Sequence, residues 1–298
     1  MLNRFLALSR TTHGILDVAM PGFAALLWLG AFPEWPVLLL SLLTAFAGYT
    51  AIYTLNDLAG IKTDREKFAG EGINQGYSVE ASAMRYPLAQ NILTARQGWA
   101  WFAFWYAIAL IGAYILNPVI VFIVLAAAVL EVIYCRLLKV TYWRTLVSGL
   151  VKSAGPVAAV FVVQPNPSLP LLLLMLLWLM LWEIGGQNIP ADWNDVEEDK
   201  RVGAKTIPLT FGPKRAGLLV VLTLTLTTLV SLFLPLISPK PLGWPYLAAS
   251  GLAGLYLLIL PGLRLYRRGE SRQAGRLFDH ASYYPLAQLT IMTIFVLL

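Results

Sequence analysis

The residues best suited to chemistry lie in a strongly acidic segment, 187–209, that directly follows an apolar stretch. It holds five acids within the eight residues from Asp192 to Asp199. On a helix with 100° per residue, four oxygen-bearing side chains fall on one face, whereas Glu197 and Glu198 point elsewhere. Those four side chains are Asn188, Asp192, Asp195 and Asp199. Like charges on one stripe repel each other unless a cation lies among them, and hard oxygen ligands favour Mg²⁺ or Ca²⁺ over zinc.

A second acidic segment, 54–68, also follows an apolar stretch. Asp57 and Asp64 are seven residues apart and share a helical face, with Asn56 beside them. A single run of acids is more often a solvated loop, and it is the second segment that favours a functional site. Two oxygen clusters, each at the end of an apolar helix, predict a two-metal clamp on a diphosphate.

These two motifs resemble those of the UbiA superfamily of intramembrane prenyltransferases. Its members carry the pattern N-D-x-x-D-x-x-x-D after the second membrane helix and a further aspartate motif after the sixth. Here Asn56, Asp57 and Asp64 match the first pattern, whereas Gly60 stands where the middle aspartate is usual. The second motif is most similar to the branch that contains chlorophyll synthase and the archaeal geranylgeranylglyceryl phosphate enzymes. Its matching residues are Asp192, Asp195, Asp199, Gly203, Lys205 and Thr206.

The resemblance implies a set of site residues. The catalytic residues would be Asp57, Asp64, Asp195 and Asp199. The ligands of the Mg²⁺ cofactor would be Asn56, Asp57, Asp64, Asn188, Asp192, Asp195 and Asp199. Family members place a tyrosine and a basic residue after the fourth helix to hold the diphosphate, which here matches Tyr134 with Lys139, and Lys205 is a second cationic candidate. Further candidates for this role are Arg144, Arg65 and Lys152.

The long polar loop between Asp64 and Arg96 is predicted to cap the active site over Glu66–Met84. A reaction through a carbocation requires that water be excluded, which favours a cap over a disordered linker. In the family this loop commonly ends in Arg-Pro-Leu, whereas here Tyr86 separates the arginine from the proline. This departure, together with Gly60, indicates a specialised subgroup with its own substrate contacts.

Composition places the chain in the membrane. It has 298 residues, of which 58% are hydrophobic and 13% charged, and its mean hydropathy is +0.68. The single cysteine, Cys135, excludes a disulfide framework and any multi-cysteine metal site. Two histidines, His13 and His280, leave little for zinc chemistry. The net charge of +6 is explained by membrane topology, and no nucleic-acid partner is expected.

The apolar stretches predict an all-α, multi-pass membrane protein with nine transmembrane helices around a central cavity. A helix needs roughly 20 apolar residues to cross a bilayer, and helices satisfy their own backbone hydrogen bonds there. The whole chain, 1–298, is expected to form a single UbiA-like domain. The predicted spans are 13–31, 36–55, 98–116, 118–135, 145–163, 169–187, 216–235, 244–263 and 281–298.

Basic residues predict the orientation of these helices. With the N-terminus inside, every Lys and Arg except Lys152 and Lys240 lies in an inner segment or at the inner end of a helix. Both acidic motifs then face the cytoplasm, and the C-terminus lies outside. Four charges fall within predicted spans, where they usually face a cavity or a partner. These are Asp17, Glu131, Lys152 and Glu183, of which Asp17 and Lys152 lie deepest.

The reaction implied by the resemblance is ionisation of an allylic prenyl diphosphate, with the diphosphate stabilised by Mg²⁺ and by basic side chains. The carbocation would be captured by a hydrophobic acceptor, typically an aromatic ring, within the bilayer. One alternative is a terpene cyclase of the same superfamily, which needs no acceptor. Another is a cation transporter, although the acids cluster at helix ends and not at the midplane where transporter sites lie.

Overall fold

The computed structural model describes residues 2–67, 69 and 84–298, and these residues are overwhelmingly helical. The first seven helices are α1 (Leu2–Leu8), α2 (Thr11–Asp17), α3 (Ala19–Leu29), α4 (Trp35–Lys67), α5 (Ala95–Leu116), α6 (Pro118–Arg136) and α7 (Arg144–Val163). The others are α8 (Leu169–Trp182), α9 (Ile189–Asn194), α10 (Val196–Arg201), α11 (Ile207–Ser231), α12 (Gly243–Gly254), α13 (Leu260–Arg268) and α14 (Ser271–Leu297).

The sequence marks several helix ends by ordinary capping chemistry. Thr94 and Gln97 form a capping box at the start of α5, in which each side chain bonds the other's backbone N–H. Asn117 caps α6 by accepting a hydrogen bond from the Val119 N–H. Gly30 ends α3 with a φ of 66°, a left-handed conformation that glycine adopts without a steric cost.

Eight helical segments within the described residues are long and apolar enough to cross a membrane. They correspond to the first eight predicted spans. The ninth, 281–298, forms the second half of α14, which has 27 residues and is about 40 Å long at 1.5 Å per residue. Polar residues such as Tyr284 and Gln288 make it less apolar than the other eight. The predicted all-α, multi-pass class is therefore confirmed, with the last span distinguished by the polar residues within it.

The spanning helices pack into a closed arrangement. In the first part of the chain, α4 packs along α5, and α7 packs against both α3 and α6. The last helix, α14, returns to pack on α3 and so joins the end of the chain to its beginning. A core of aromatic residues lies between α8, α11, α12 and α14, and it includes Trp178, Trp182, Tyr246 and Tyr284. Apolar side chains on the outside, such as Trp35, Phe122 and Trp244, are suited to contact lipid.

The first motif lies on α4, which is a single unbroken helix of 33 residues. Such a helix is about 50 Å long, whereas the hydrocarbon core of a bilayer is about 30 Å thick. Its last turns, which carry the first motif, therefore extend beyond the hydrocarbon core. This length places the motif at the membrane surface while keeping it continuous with an apolar span.

The second motif does not lie on one regular helix, which corrects the single-helix interpretation of the sequence. After α8 the chain forms a π-helical turn, Glu183–Asn188, followed by α9, and Asp195 then interrupts the helix before α10. The π turn passes very close to α11, since a Cβ atom placed on Gly185 would lie 2.1 Å from Thr223 Oγ1. Glycine at this position allows the two backbones to approach.

Candidate active site

A polar cavity lies where α4, the α9–α10 segment and the start of α7 meet. Four acids and four basic residues line it, so that the two signs of charge are balanced in the wall. The acids are Asp64, Asp192, Asp195 and Asp199, and the basic residues are Arg10, Lys67, Arg85 and Arg144. The structure thus brings both predicted acidic motifs to one place.

Ion pairs connect the second motif to basic residues from three different parts of the chain. Lys67 Nζ lies 2.6 Å from Asp199 Oδ1, and both side chains are buried. Arg85 donates to Asp195 Oδ2 at 2.5 Å. Similarly, the Arg144 guanidinium bonds Asp192 Oδ1 at 2.5 Å. These three pairs tie the loop before α5, the end of α4 and the start of α7 to the same acidic segment.

The two aspartates of the first motif have different surroundings. Asp64 lines the polar cavity, whereas Asp57 lies outside the cavity lining and pairs with Arg10 at 3.1 Å. Arg10 also donates to Asn56 Oδ1 at 3.0 Å. Although the seven-residue spacing puts Asp57 and Asp64 on one broad face, Asp57 is turned toward Arg10. Asp57 therefore does not line the cavity itself but holds Arg10, which does.

Tyr134 and Asn188 lie on the far wall of the site. The Asn188 amide donates to the Tyr134 hydroxyl at 3.0 Å, and its carbonyl oxygen accepts a bond from Thr145 at 2.7 Å. The Arg144 guanidinium lies 4.3 Å from the centre of the Tyr134 ring, which is a cation–π contact. Tyr134 thereby fixes an arginine that faces the cavity.

Burial and neighbouring charges shift the pKa values of the acids and of a tyrosine in the polar cavity. Burial by itself would raise the pKa of Asp195, but the adjacent Arg85 guanidinium holds that pKa below its usual value. Burial raises the pKa of Asp199, against the opposite effect of Lys67. Burial also raises the pKa of Tyr86 to about 12, so this phenol stays protonated at neutral pH.

Two residues at the site have an unusual backbone conformation. Arg10 and Tyr86 both line the polar cavity, and their φ angles are 45° and 54°. Left-handed backbone is rare for residues with a side chain, and it persists where the surrounding structure fixes it. The Arg10 guanidinium lies 5.7 Å from the centre of the Tyr86 ring. The two strained positions therefore meet at the same wall.

Three of the predicted basic residues lie outside this cavity. Lys139 is 42% exposed in its side chain and pairs with Glu66 at 2.5 Å. Lys205 is exposed, and Arg65 is exposed and donates to Asn91 at 2.9 Å. Their positions in the sequence are close to the motifs, but their side chains point toward solvent. As diphosphate ligands, they are not supported by the geometry.

Sequence reasoning missed Arg10, Lys67 and the pairing of Arg85 with the second motif. Arg85 carried a signal, since it stands one position from the arginine of the usual family loop. Nothing in the spacing of Arg10 indicated a site role, because it reaches the cavity only through the packing of α2 against α4. The predicted cap, Glu66–Met84, lies for the most part outside the described residues.

An apolar cavity of about 530 Å³ adjoins the polar one. Residues of α2, α3, α4, α6, α7 and α14 line it. Five residues line both cavities, so that the two lie side by side: Arg10, Asn56, Tyr134, Ala191 and Phe278. Of the predicted site residues, Asn188 and Lys152 line the apolar part.

Comparison with known proteins decides the family. The UbiA prenyltransferase family matches residues 18–284. The chain belongs to the UbiA prenyltransferase family. It is thus an integral membrane prenyltransferase, as the two motifs predicted.

Relatives of this UbiA protein include two archaeal enzymes of the same name. It is 26% identical over 233 residues to the digeranylgeranylglyceryl phosphate synthase of Methanosarcina mazei, covering 73% of this chain and 75% of the relative. It is also 26% identical over 217 residues to the digeranylgeranylglyceryl phosphate synthase of Methanopyrus kandleri, covering 70% of this chain and 76% of the relative. The predicted similarity to the archaeal branch is confirmed.

Solved structures show the same fold. The apo structure of a UbiA homolog from Aeropyrum pernix K1 matches with a TM-score of 0.73 at 19% identity, covering 96% of this chain and 97% of that one. The structure of a UbiA homolog from Archaeoglobus fulgidus bound to DMAPP and Mg²⁺ matches with a TM-score of 0.65 at 16% identity, covering 98% and 99%.

The donor chemistry of this UbiA site fits a hard divalent cation. Asp192 Oδ2 is buried without a hydrogen-bond partner among the described residues. Asp64, from the other motif, lies in the same cavity. In the described part of the chain, the acids are spread around the cavity and are not gathered into a group of three or more. The cavity therefore contains carboxylate oxygen atoms from both motifs, and basic side chains lie between these carboxylates.

Proposed function

We propose that this protein transfers a prenyl group from a prenyl diphosphate to a lipophilic acceptor inside the membrane, in a reaction that requires Mg²⁺. The observation that carries the proposal is that a charged cavity adjoins an apolar one and shares five lining residues with it. A prenyl diphosphate has the same two parts, a highly charged head and a hydrocarbon chain. Its reacting carbon, C1, joins the two and would lie at the junction of the cavities, beside Asn56 and Tyr134.

The basic residues of the polar cavity are placed to receive the diphosphate. Arg10, Lys67, Arg85 and Arg144 reach it from four separate elements, and aspartates hold each of them in position. Guanidinium groups form strong, charge-assisted hydrogen bonds to phosphate oxygens. As the C1–oxygen bond breaks, negative charge grows on the departing diphosphate, and fixed cations around it lower the barrier.

Mg²⁺ binding is assigned to oxygen atoms of both motifs. Asp64 from α4 and Asp192, Asp195 and Asp199 from the second motif supply carboxylates, and Asn56 supplies an amide oxygen. The structure of a UbiA homolog from Archaeoglobus fulgidus bound to GPP and Mg²⁺ supports the use of a prenyl diphosphate together with Mg²⁺. The bound metal would act as a Lewis acid on the diphosphate. The chain's own aspartates also position the arginines and the lysine.

The apolar cavity is the proposed site of the hydrocarbon chain. Its volume of about 530 Å³ lies in the range typical of small-ligand sites. Its lining is largely apolar and comes from several helices, which keeps water away from a carbocation. The names of the two archaeal relatives support a lipid acceptor that carries a glyceryl phosphate group, and the sequence motifs alone favoured an aromatic acceptor. Both acceptor classes therefore belong in the assay.

Sidedness forms part of the proposal. The distribution of basic residues places the N-terminus and both motifs in the cytoplasm and the C-terminus outside, in a cytoplasmic-type membrane. A reporter fused at Gly72, in the loop outside the described residues, should be cytoplasmic, and one fused at Pro241 should be extracytoplasmic. Finding both reporters on one side would contradict this orientation.

The direct test uses the purified protein in lipid nanodiscs. Prenyl diphosphates of 10, 15 and 20 carbons are supplied with Mg²⁺ and either a glyceryl phosphate lipid, an aromatic acceptor or no acceptor. Mass spectrometry identifies products, and released diphosphate is measured in parallel. We expect prenylated acceptor and diphosphate in equal amounts, and neither in excess EDTA.

The nanodisc assay, together with a flux measurement in proteoliposomes, distinguishes the alternatives. A prenyl hydrocarbon formed without acceptor would show a cyclase. Cation flux through proteoliposomes without release of diphosphate would show a transporter. Absence of diphosphate release with every donor and acceptor would contradict the proposal.

A further inference from the structure

A polar cluster lies in and behind the wall of the apolar cavity, separate from the two acidic motifs. Its members are His13 and Asp17 from α2, Tyr53 from α4 and Lys152 from α7. Lys152 Nζ donates to Asp17 Oδ2 and to the Tyr53 hydroxyl oxygen, both at 2.6 Å, and lies 3.3 Å from His13 Nε2. The Tyr53 hydroxyl also donates to Asp17 Oδ2. Charges within a membrane are costly, and they usually mark a functional position.

We propose that Tyr53 accepts the proton that an acceptor hydroxyl loses during prenyl transfer, and that it passes its own proton to Asp17. This inference rests on the proposed function and assigns the proton acceptor of that reaction. Tyr53 would be a catalytic residue because it faces the substrate. Asp17 and Lys152 act through it and are positioning residues.

The order of the residues from the cavity inward supports this relay. Tyr53 and Lys152 line the apolar cavity, whereas Asp17 is 3% exposed and is not part of the cavity lining. Since the Tyr53 hydroxyl bonds Asp17, it connects the cavity to a carboxylate that a substrate does not reach directly. A hydroxyl both donates and accepts, which is the property that a proton relay requires.

The position of Tyr53 along α4 matches the expected place of the reaction. Tyr53 precedes Asn56 by three residues, a rise of about 4.5 Å along the helix. Asn56 lines both cavities and so marks their junction. The Tyr53 hydroxyl therefore lies about one helical turn inside the apolar cavity, next to where C1 meets an acceptor.

The charge of the cluster suits a group that takes up a proton. The Lys152 ammonium, bonded directly to Asp17, keeps the carboxylate ionised and therefore without a proton of its own. The acceptor oxygen becomes strongly acidic as it bonds C1, so it can give up its proton even to a carboxylate that is paired with an ammonium. Two other carboxylates, Glu131 and Glu183, line the same cavity. Glu131 accepts a bond from Asn56, and Glu183 accepts one from Ser148 at 2.6 Å. Asp17 has both an ion pair to Lys152 and a bond from a tyrosine hydroxyl, and for this reason, of the three carboxylates, we assign the proton to Asp17.

The proposed step balances as follows for an alcohol acceptor. The acceptor oxygen forms a bond to C1 of the prenyl group, and the bond between C1 and the diphosphate oxygen breaks, with its electron pair leaving on the diphosphate. The acceptor proton moves to the Tyr53 oxygen as the Tyr53 proton moves to Asp17 Oδ2. For a phenol, the same proton leaves the hydroxyl and the ring becomes more nucleophilic. After the ring carbon bonds C1, the hydrogen of that carbon moves as a proton to the acceptor oxygen, which restores the aromatic ring and the hydroxyl. A hydroxyl group is thus the shared requirement.

The competing explanation is that the cluster only ties α2, α4 and α7 together. Variants must therefore separate chemistry from structure. Tyr53→Phe removes one hydroxyl and keeps the ring, and Asp17→Asn keeps the shape of the acid. Glu183→Gln alters one of the two other carboxylates that line the cavity. Tyr106→Phe is the matched control, because Tyr106 lines neither cavity and its hydroxyl bonds a backbone carbonyl, that of Val124, at 3.3 Å.

Three quantities are measured for each nanodisc-embedded variant: kcat, the Kd of a non-reactive prenyl diphosphate analogue with Mg²⁺, and the ratio of kcat in H₂O to kcat in D₂O. We expect Tyr53→Phe and Asp17→Asn to lower kcat by about 100-fold or more, the usual contribution of general base catalysis. Their analogue Kd should stay within threefold of the wild-type value, and the solvent isotope ratio should change. Tyr106→Phe should stay within fivefold in kcat, and Glu183→Gln should lower kcat less than Asp17→Asn does.

Two results would overturn the inference. One is a kcat within fivefold of wild type for Tyr53→Phe. The other is a loss of analogue binding that accounts for the fall in kcat, with an unchanged solvent isotope ratio, since this is the outcome of a purely structural role. If Tyr53→Phe fails to fold, Asp17→Asn alone decides by the same two criteria. A failure of the proposed function is distinct, because the wild-type protein would then release no diphosphate.

Discussion

The two acidic motifs reach one cavity along very different backbones. The first lies on the unbroken helix α4, where the residues facing the polar cavity repeat with helical spacing: Asn56, Gly60, Thr63, Asp64 and Lys67. The second crosses a π turn, a short helix and a break at Asp195, yet its three aspartates all face the same cavity. The regular helix α4 holds its cavity-lining residues at fixed positions along one wall of the site. An irregular segment places several carboxylates around the wall of one cavity, each beside a different basic residue.

The irregular motif also carries more of the ion pairs. Asp192, Asp195 and Asp199 each hold a basic residue from elsewhere in the chain. On the regular motif, only Asp57 does so within the described residues, and it lies outside the cavity lining. We therefore expect aspartates of the irregular motif to contribute more to catalysis than those of the regular motif, and mutations can test this ranking.

The largest effect is expected in the irregular motif. Asp195→Ala and Asp199→Ala each remove a carboxylate from the cavity and leave Arg85 or Lys67 without its partner. We expect kcat/KM to fall by about 1000-fold, the upper range for losing one preorganised electrostatic group. Steady-state assays of product formation measure this. Glu197→Ala is the matched control, since Glu197 is exposed on the same helix and should retain activity.

Glu198 sharpens the same prediction. It is buried but does not line the polar cavity, so that Glu198→Ala should affect stability more than catalysis. If Glu198→Ala abolished turnover in a protein with unchanged melting temperature while Asp195→Ala stayed active, the assignment of this motif would be wrong.

A smaller effect is expected within the regular motif. Asp57 acts on the cavity through Arg10, whereas Asp64 faces it directly. Asp64→Asn should lower kcat/KM by about 100-fold, and Asp57→Asn by about 10-fold, because the latter keeps a hydrogen-bond acceptor for Arg10. A titration with Mg²⁺ adds a second readout, since Asp64→Asn alone should raise the Mg²⁺ concentration needed for half-maximal activity. Equal losses of kcat/KM in Asp64→Asn and Asp57→Asn would contradict the proposal that only Asp64 acts directly in the cavity.

The π turn can be tested through stability. A methyl group on Gly185 would collide with Thr223 on α11, so Gly185→Ala should destabilise the protein by about 1–3 kcal/mol, as overpacking of a core does. Thermal melting in detergent measures this. Adding Thr223→Ala should restore most of the loss, because it removes the colliding oxygen. A Gly185→Ala variant as stable as the wild type would show that the close approach to α11 is not needed.

The smallest effect is expected at Gly60. A Cβ atom there would lie 2.9 Å from Asp64 Oδ2, so Gly60→Ala displaces a flexible carboxylate end. We expect kcat to fall by about 10-fold at most, consistent with an adjustable side chain and not with loss of a ligand. Thr63→Ser, one turn further along the same face, is a control of similar size and should be silent. A 1000-fold loss in Gly60→Ala would mean that the fixed position of Asp64 is critical.

Sequence predicted the helices well because a membrane span leaves a direct record in the chain: a continuous run of apolar residues of fixed minimum length. It also predicted Asp64, Asp192, Asp195 and Asp199, since these acids are close in sequence to such runs. It could not show that Asp57 turns away from the cavity, because the seven-residue spacing describes a face and not a partner. The partner, Arg10, lies more than 40 residues earlier and meets α4 only after folding.

Basic residues were the hardest to place. Lys139 and Lys205 stand near the motifs in sequence, but long side chains near a helix end reach solvent as readily as a cavity. Lys67 reaches the cavity through a buried ion pair with Asp199, which tertiary packing creates. The break at Asp195 was missed for a related reason, since the acidic pattern fits a straight helix and the close approach at Gly185 depends on α11.

The central claim is that the polar and apolar cavities form one site, with the diphosphate in the first and the prenyl chain in the second. The most direct measurement is photolabelling of the nanodisc-embedded protein with a prenyl diphosphate that carries a diazirine at the far end of its chain, in the presence of Mg²⁺. Mass spectrometry should find the label on the cavity-lining face of α3, α4 or α7, at residues such as Ala25, Tyr49 and Ala158, and an excess of unlabelled prenyl diphosphate should abolish it. Competable labelling confined to the outer surface, at residues such as Phe122 or Trp244, would contradict the account.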